Sequence, residues 1–341
     1  MPIDRRGLLL LGGLSATLLT ARQTRAASVT DSAGRAVPVP ARVTRVFPAG
    51  PPAAITLYTV APELLIGWPR ANRADEREFL HPEIGARPEV GRITGRGNTA
   101  NLEVVLALKP DLILDIGIVN NTYISLAERV QKQTGISYAL LDGRFGGTPE
   151  TYRVIGALTG HQEAAEAAAR FAEDTLKTIT GRLPEPAKRP RVYYARGPRG
   201  LDTGLGGSIN VETIELLARN VAGSTRGGLA TVSIEDVLVW NPEVIITIDR
   251  DFAERVYSLP TWQSVAAVKA KRVHLSPKLP FGWVDFPPSV NRLIGLWWLA
   301  KTLYPERFPE DLRALTRDFY RRFYHVALSD AQLDRVLAGR D

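Results

Sequence analysis

The chain has 341 residues, 45% of them apolar, which is more than one ordinary domain needs and enough to build two cores. The formal net charge is +7; four arginines and one aspartate lie within the first 26 residues, so the remainder carries about +4 and has no basic run typical of nucleic-acid binding. The absence of cysteine excludes disulfides, thiolate nucleophiles, cysteine-based zinc sites and iron–sulfur clusters.

Residues 1–27 are typical of an export signal, with a basic start, a short apolar middle and small residues at Ala26 and Ala27. Arg5 and Arg6, followed by Gly-Leu-Leu, favour the twin-arginine type, and an ordinary secretory signal is the alternative. Because no cysteine follows the signal to carry a lipid, we expect a soluble, unanchored protein in the periplasm.

Residues 28–147 predict an N-terminal α/β lobe. Strands are expected at 44–49, 64–68, 111–117 and 136–142, with helices between them. The strand at 111–117 is apolar almost throughout, which is typical of a strand buried in a parallel sheet.

Residues 148–183 are rich in alanine, glutamate and leucine and predict one long helix, or two nearly collinear helices, that links two lobes. Residues 184–341 repeat the strand–helix pattern and end in further helices, so they predict a C-terminal lobe. The predicted fold class is therefore α/β: two lobes, each with a mainly parallel sheet flanked by helices, joined by one long backbone helix.

The chain contains an internal repeat, since NLEVVLALKPDLILDI (101–116) matches SIEDVLVWNPEVIITI (233–248) without a gap. Each copy reads as a capped helix, a proline break and a buried strand, so packing explains nearly every shared position. Glu103 and Glu235 are the exceptions. They either stabilise the start of each helix through its dipole or mark an outward contact on each lobe.

These segments, with the opening VTDSAGRAVPVPARVTRV, resemble the periplasmic substrate-binding proteins of ABC importers. The resemblance is to the helical-backbone class that serves iron–siderophore, haem and cobalamin uptake, and it covers nearly all of 28–341. It implies a monomer without enzymatic activity that docks on an ABC permease of the inner membrane. It also implies that Glu103 and Glu235 dock onto arginines of that permease.

A ligand is expected in the cleft between the lobes, beyond the carboxyl ends of the strands. The loops at those ends supply eight candidate ligand-binding residues: Trp68, Arg92, Tyr123, Arg196, Arg250, Phe281, Trp283 and Asp285. Arg96 is a further candidate. The segment FGWVDFPP (281–288) predicts a rigid aromatic surface suited to a flat ligand, or else a lid packed on its own lobe.

A ferric siderophore is the first prediction for the ligand, because arginines and aromatic rings suit a catecholate chelate. Cobalamin, haem, a nickel or cobalt chelate and molybdate remain alternatives, and a periplasmic enzyme is the alternative from another class. No cofactor is predicted, and no catalytic motif is present. The four histidines, His81, His161, His274 and His325, lack metal-ligand spacing, so no metal site is predicted.

Overall fold

The computed structural model describes residues 28–95, 101–223 and 227–339. The predicted export signal and Arg96 lie outside these ranges. Within them, no helix is both long enough and apolar enough to cross a membrane.

The first lobe is built on a parallel three-stranded sheet of order β3-β4-β5, with a small antiparallel hairpin, β1-β2, beside it. The hairpin is attached to β5 because the backbone N–H of Ser32 donates to the carbonyl of Leu140. The strands and helices of this half are β1 (Ser28–Thr30), β2 (Ala36–Pro38), β3 (Val46–Pro48), α1 (Pro51–Val60), α2 (Ala74–Arg77), α3 (Pro82–Gly85), α4 (Leu102–Leu108), β4 (Leu112–Gly117), α5 (Asn121–Thr134) and β5 (Ser137–Asp142).

The link between the lobes differs from its prediction, because residues 148–183 form two helices, α6 (Thr148–Thr159) and α7 (Gln162–Gly181), folded back on each other. Arg153 on α6 pairs with Glu173 on α7 at 2.8 Å, whereas twenty residues of continuous helix would separate them by roughly 30 Å. The turn follows from Gly160, which ends α6 in the left-handed conformation. Only α7 then carries the chain to the second sheet.

The second lobe is built on a parallel four-stranded sheet of order β11-β10-β6-β8, with a separate antiparallel pair, β7-β9. The predicted fold class, two lobes with parallel sheets flanked by helices, is confirmed. The elements of this half are β6 (Arg191–Ala195), β7 (Asp202–Gly204), α8 (Glu212–Leu217), β8 (Arg219–Asn220), β9 (Leu229–Thr231), α9 (Ile234–Trp240), β10 (Val244–Thr247), α10 (Arg250–Arg255), α11 (Ala266–Lys269), β11 (Val273–Leu275), α12 (Asn291–Leu303), α13 (Leu312–Phe319) and α14 (Asp330–Leu337).

The repeat in the sequence is also a repeat in detailed structure. In the first lobe, the guanidinium of Arg45 donates to the carbonyls of Leu108 and Lys109 at the end of α4. In the second lobe, Arg191 donates in the same way to the carbonyls of Trp240 and Asn241 at the end of α9, the equivalents of Leu108 and Lys109 in the repeat. These bonds satisfy carbonyls that a helix end leaves without partners, so each lobe caps this helix with an arginine from its neighbouring strand.

The end of the chain returns to the first lobe, whereas α12 packs against α7 and α8 on the side of the second lobe. Tyr58 on α1 donates to the carbonyl of Tyr324, and Phe79 packs edge-on against Tyr320. Both tyrosines belong to a π-helical turn, Tyr320–Tyr324, that follows α13. These rings bury large apolar area, and that favours the return of the chain across the cleft.

Candidate functional site

The two lobes meet at the carboxyl ends of their strands, where parallel α/β sheets place their ligands. Residues from both lobes line a cavity of about 20 Å³, which has room for one water molecule. Its lining includes the polar side chains of Asp142 at the end of β5, Thr56 on α1, and Ser289 and Arg292 from the second lobe. This cavity forms the floor of the cleft and is too small for a ligand of any other kind.

Arg292 holds the lobes together at this floor. Its side chain is almost fully buried and donates to Glu212 at 2.9 Å and to the carbonyl of Gly143 at 2.5 Å. The guanidinium also lies 4.4 Å from the ring centre of Phe145. Glu212 completes the junction by accepting from the backbone N–H of Phe145. One cation therefore binds a carboxylate of the second lobe and a carbonyl and a ring of the first.

A second polar cluster lies at the carboxyl end of β6 and surrounds Asp285. This carboxylate is fully buried and accepts from the hydroxyl of Tyr194 and the amide of Asn210. It also pairs with Arg196 at 3.4 Å. Burial raises the pKa of Asp285, and the nearby Arg196 opposes that rise by favouring the charged form. Asp285 therefore faces protein groups on all sides and fixes the position of Arg196.

Arg196 has unused hydrogen-bonding capacity in this cluster. Its Nε–H is buried and has no hydrogen-bond partner in the described part of the chain, which is costly for a charged group unless a ligand supplies one. Its side chain is 13% exposed, and its guanidinium lies 5.9 Å from the ring centre of Phe286. Phe286 is 62% exposed, so an aromatic ring and a cation lie together at an accessible surface.

The cluster adjoins the first lobe through the glycine-rich loop 205–210. The side chain of Ile209 in this loop packs against Gly143 of the first lobe, where its Cδ1 would lie 3.2 Å from a Cβ added at that glycine. Arg144 of the first lobe donates to the carbonyl of Gly207 at 3.3 Å. Asn210, at the end of the same loop, binds Asp285. Arg196 and Phe286 are thus linked by consecutive contacts to the boundary between the lobes.

Three of the predicted ligand-binding residues have their rings in the core rather than on an open surface. Trp68 is 2% exposed, and its indole donates to the carbonyl of Ile84. Phe281 packs against Trp68, with ring centres 6.0 Å apart, and is itself 5% exposed. Trp283 is fully buried and lies against Gly295 of α12. Burying the apolar area of these rings in the core stabilises the protein more than leaving it on a cleft wall would. The segment 281–288 therefore packs against the protein, as the lid alternative predicts.

Three other predicted residues lie in different surroundings: Tyr123 and Arg250 follow β4 and β10 in the chain, and Arg92 lies in a loop that contacts the end of β3. Arg92 is half-buried, next to Ile93, whose N–H donates to Ala49 beyond β3. Tyr123, in the first turn of α5, is partly buried against the first lobe's core. Arg250 begins α10 and pairs with Glu254 of the same helix at 2.8 Å.

The two predicted docking carboxylates are exposed. Glu103 lies in the first turn of α4 and Glu235 in the first turn of α9, as the repeat predicts. Neither has an ion-pair partner among the described residues. The helix-dipole explanation holds for both positions and leaves their charges available to a partner.

The histidines have structural contacts. His161 pairs with Glu63 at 2.7 Å, and His325 contacts the carbonyl of Tyr58 at 3.1 Å. Within the described ranges, no three histidine, aspartate or glutamate side chains are grouped so that they could hold a metal ion.

Sequence reasoning missed Arg292, Glu212 and Asn210 as site residues. No local pattern marks them, because their partners lie 75 to 149 positions away in the chain. Phe286 was recognisable as part of the aromatic segment 281–288, but its exposure, unlike that of Phe281 and Trp283, depends on the tertiary fold.

Comparison with known proteins gives consistent results. The family model described as periplasmic binding protein matches residues 60–279, which is more than half of the chain. The molybdate-binding protein MolA of Haemophilus influenzae is 29% identical over 270 residues, covering 73% of this chain and 75% of that protein. A substrate-binding lipoprotein of Bacillus subtilis is 27% identical, covering 65% of this chain and 71% of that protein.

Solved structures agree with this match. An ABC transporter solute-binding protein from Sulfurospirillum deleyianum is 30% identical, with a TM-score of 0.82 over 91% of this chain and 98% of its own. MolA bound to molybdate is 25% identical, with a TM-score of 0.73 over 89% and 99% of the two chains. These relatives are solute-binding transport proteins, which confirms the prediction of a binding protein rather than an enzyme. The chain belongs to the periplasmic binding protein family, in the helical-backbone class of ABC transporter substrate-binding proteins.

Proposed function

We propose that this protein captures a small metal oxyanion of the molybdate type in the cleft beside Arg196 and delivers it to an ABC permease. The observation that carries this proposal is the buried Nε–H of Arg196, which has no hydrogen-bond partner among the residues that the structure describes. A ligand oxygen would supply the missing acceptor and meet a fixed positive charge. Asp285, Tyr194 and Asn210 hold that charge in place before the ligand arrives, which reduces the entropic cost of binding.

An oxyanion is favoured over the larger chelates for two reasons. The aromatic surface that suggested a siderophore is largely absent, because Trp68, Phe281 and Trp283 are buried. The relative MolA, a molybdate-binding protein whose structure was solved with molybdate bound, matches across most of both chains. The ferric siderophore, our first prediction from sequence, remains the second candidate, because the exposed ring of Phe286 beside Arg196 suits a flat anionic chelate.

Binding measurements distinguish these candidates. Isothermal titration with molybdate, tungstate, sulfate, a ferric catecholate and cyanocobalamin would identify the ligand class. We expect Arg196→Gln to weaken molybdate binding at least about tenfold, since a charged hydrogen bond of roughly 1.5–3 kcal/mol is lost. Arg199→Gln is the matched control, because Arg199 lies exposed in the same loop. Binding of the catecholate alone would establish the second candidate, and equal affinities of both variants would move the site away from Arg196.

We further propose that Glu103 and Glu235 dock the protein onto basic side chains of the permease. Two exposed carboxylates, one on each lobe, suit a role in orientation and steering. Replacing both with glutamine should abolish transport in reconstituted vesicles and leave ligand affinity unchanged. A loss of ligand affinity would contradict the docking role.

We also propose that the mature protein is an unanchored periplasmic monomer exported by the twin-arginine route. The support is the sequence of residues 1–27 and the absence of cysteine. Cell fractionation of an Arg5→Lys, Arg6→Lys variant should show the precursor retained in the cytoplasm. Export at the normal level would instead favour the ordinary secretory signal.

A further inference from the structure

Exposed apolar side chains are concentrated on two short helices. Among the described residues, seven large apolar side chains are exposed, and four of them lie on α4 or α9, which together have only fourteen residues. They are Val104 (41% exposed) and Leu106 (45%) on α4, and Leu238 (39%) and Val239 (82%) on α9. Each of these two short helices therefore exposes two large apolar side chains to solvent.

The exposed leucines occupy equivalent positions in the internal repeat. Leu106 and Leu238 lie 132 positions apart, as Glu103 and Glu235 do. Packing requires the intervening valines, Val105 and Val237, which are fully buried. It does not require the leucines, which point away from both cores.

Each leucine lies beside a docking carboxylate. Residues three apart on a helix are neighbours on its surface, so Glu103 is next to Leu106, and Glu235 is next to Leu238. We call these two pairs, with their helices, the first and second docking faces. Each face therefore joins one unpaired negative charge to one exposed apolar side chain.

The docking faces lie on either side of the cleft. The last carbonyls of α4 are bound by Arg45 just before β3, so this helix ends at the amino edge of the first sheet and begins at the carboxyl edge. Arg191, the first residue of β6, binds the end of α9 in the same way. Since the ligand cleft is at the carboxyl edges, both helices begin near its rim.

We propose that Leu106 and Leu238 are apolar anchors that bury themselves in two like sockets on the periplasmic surface of the permease. The inference rests on the proposed transport function, and it adds burial of apolar side chains to the charged contacts already proposed for docking. The unpaired carboxylates call for basic groups beside each socket, and the duplication of the faces calls for a partner with two similar halves. Glutamates steer and orient the encounter, while buried leucines supply affinity that does not depend on ionic strength.

The test measures binding of the ligand-loaded protein to its permease complex in lipid nanodiscs, at 50 and 500 mM salt. Leu106→Ser with Leu238→Ser should weaken binding by roughly tenfold per leucine at both salt concentrations. Glu103→Gln with Glu235→Gln should weaken it at low salt only, because salt screens exposed charges. Tyr257→Ser is the matched control, since Tyr257 is 41% exposed and lies outside both faces.

The outcomes separate the inference from the function on which it rests. If the leucine variant binds the permease complex with wild-type affinity at both salt concentrations, the leucines are not anchors. That conclusion holds even if the glutamate variant fails to bind. A wild-type protein that does not bind the permease at all would refute the transport function together with the anchors. Sedimentation of the free proteins provides a further check: a wild-type dimer that the leucine substitutions dissociate would show that the faces join two copies of this chain, which also overturns the proposal.

Discussion

Replacement of Arg292 by methionine tests whether this buried side chain holds the lobes together. The substitution keeps much of the side-chain volume and removes the charge. It leaves the carboxylate of Glu212 and the carbonyls of Gly143 and Ile209 without their donor. Breaking a buried ion pair costs about 3–5 kcal/mol, and because the Glu212 side chain is 21% exposed, we expect a value near 3 kcal/mol. At roughly 2–4 °C for each kcal/mol, the melting temperature should fall by about 6–12 °C.

Thermal melting followed by circular dichroism measures this change. Arg170→Met is the matched control, because Arg170 is 72% exposed and pairs with Glu166 at the surface, where such pairs contribute less than about 1 kcal/mol. A double-mutant cycle with Glu212→Gln should show that the second substitution costs much less once Arg292 is gone. A fall of under 2 °C for Arg292→Met would refute the reasoning, since the junction would then contribute no more than a surface pair.

Three further predictions follow from local contacts. Gly295→Ala should destabilise the protein by roughly 2 kcal/mol or more, because the added Cβ would lie 1.8 Å from the carbonyl oxygen of Trp283. Gly181→Ala, which meets nothing within 4 Å, should leave the melting temperature nearly unchanged, and equal effects of the two would contradict the packing argument. Phe286→Ala should reduce ligand affinity severalfold in titration calorimetry, because the ring lies beside the Arg196 guanidinium that we assign to the ligand. The melting temperature should stay unchanged, because the ring is 62% exposed. Unchanged affinity would place the ring outside the site. Burial lowers the pKa of His325 below its usual 6.5, so its contribution to stability is present above pH 6.5 and is lost as the pH falls through the lower folded value. Asparagine suits the left-handed backbone at position 325, so His325→Asn should keep the fold. The melting temperature of this variant should fall less between pH 7 and 5 than that of the wild type. If the two proteins lose the same number of degrees, His325 does not cause the loss of stability at low pH.

The elements that could be predicted from sequence are those set by local signals. Asn101 and Ser233 cap their helices as the pattern requires, each accepting from a backbone N–H three residues on. The apolar run before Gly117 is the buried central strand of its sheet. The structural likeness extends beyond the matched segments, because Arg45 and Arg191, which lie 146 rather than 132 positions apart, bind the ends of equivalent helices.

The parts that could not be predicted depend on contacts between distant positions. Helix-favouring residues lie on both sides of Gly160 and suit one rod or two folded rods equally well. The left-handed conformation of Gly160 and the close packing of Gly156 against Ala165 together select the folded pair. The aromatic segment 281–288 has the composition of either a binding surface or a core. The partners that bury Phe281 and Trp283 lie on other elements, so composition alone cannot separate the two.

The return of the C-terminal helices has a consequence for how the protein is made. Phe79 and Tyr58, near the start of the chain, are covered by residues 320–325, close to its end. A fragment that stopped at residue 147 would leave these aromatic faces open to water. The amino-terminal half can therefore complete its packing only after residues 320–325 have been synthesised. If the two halves were expressed separately, the amino-terminal half would lack the residues that cover Phe79 and Tyr58.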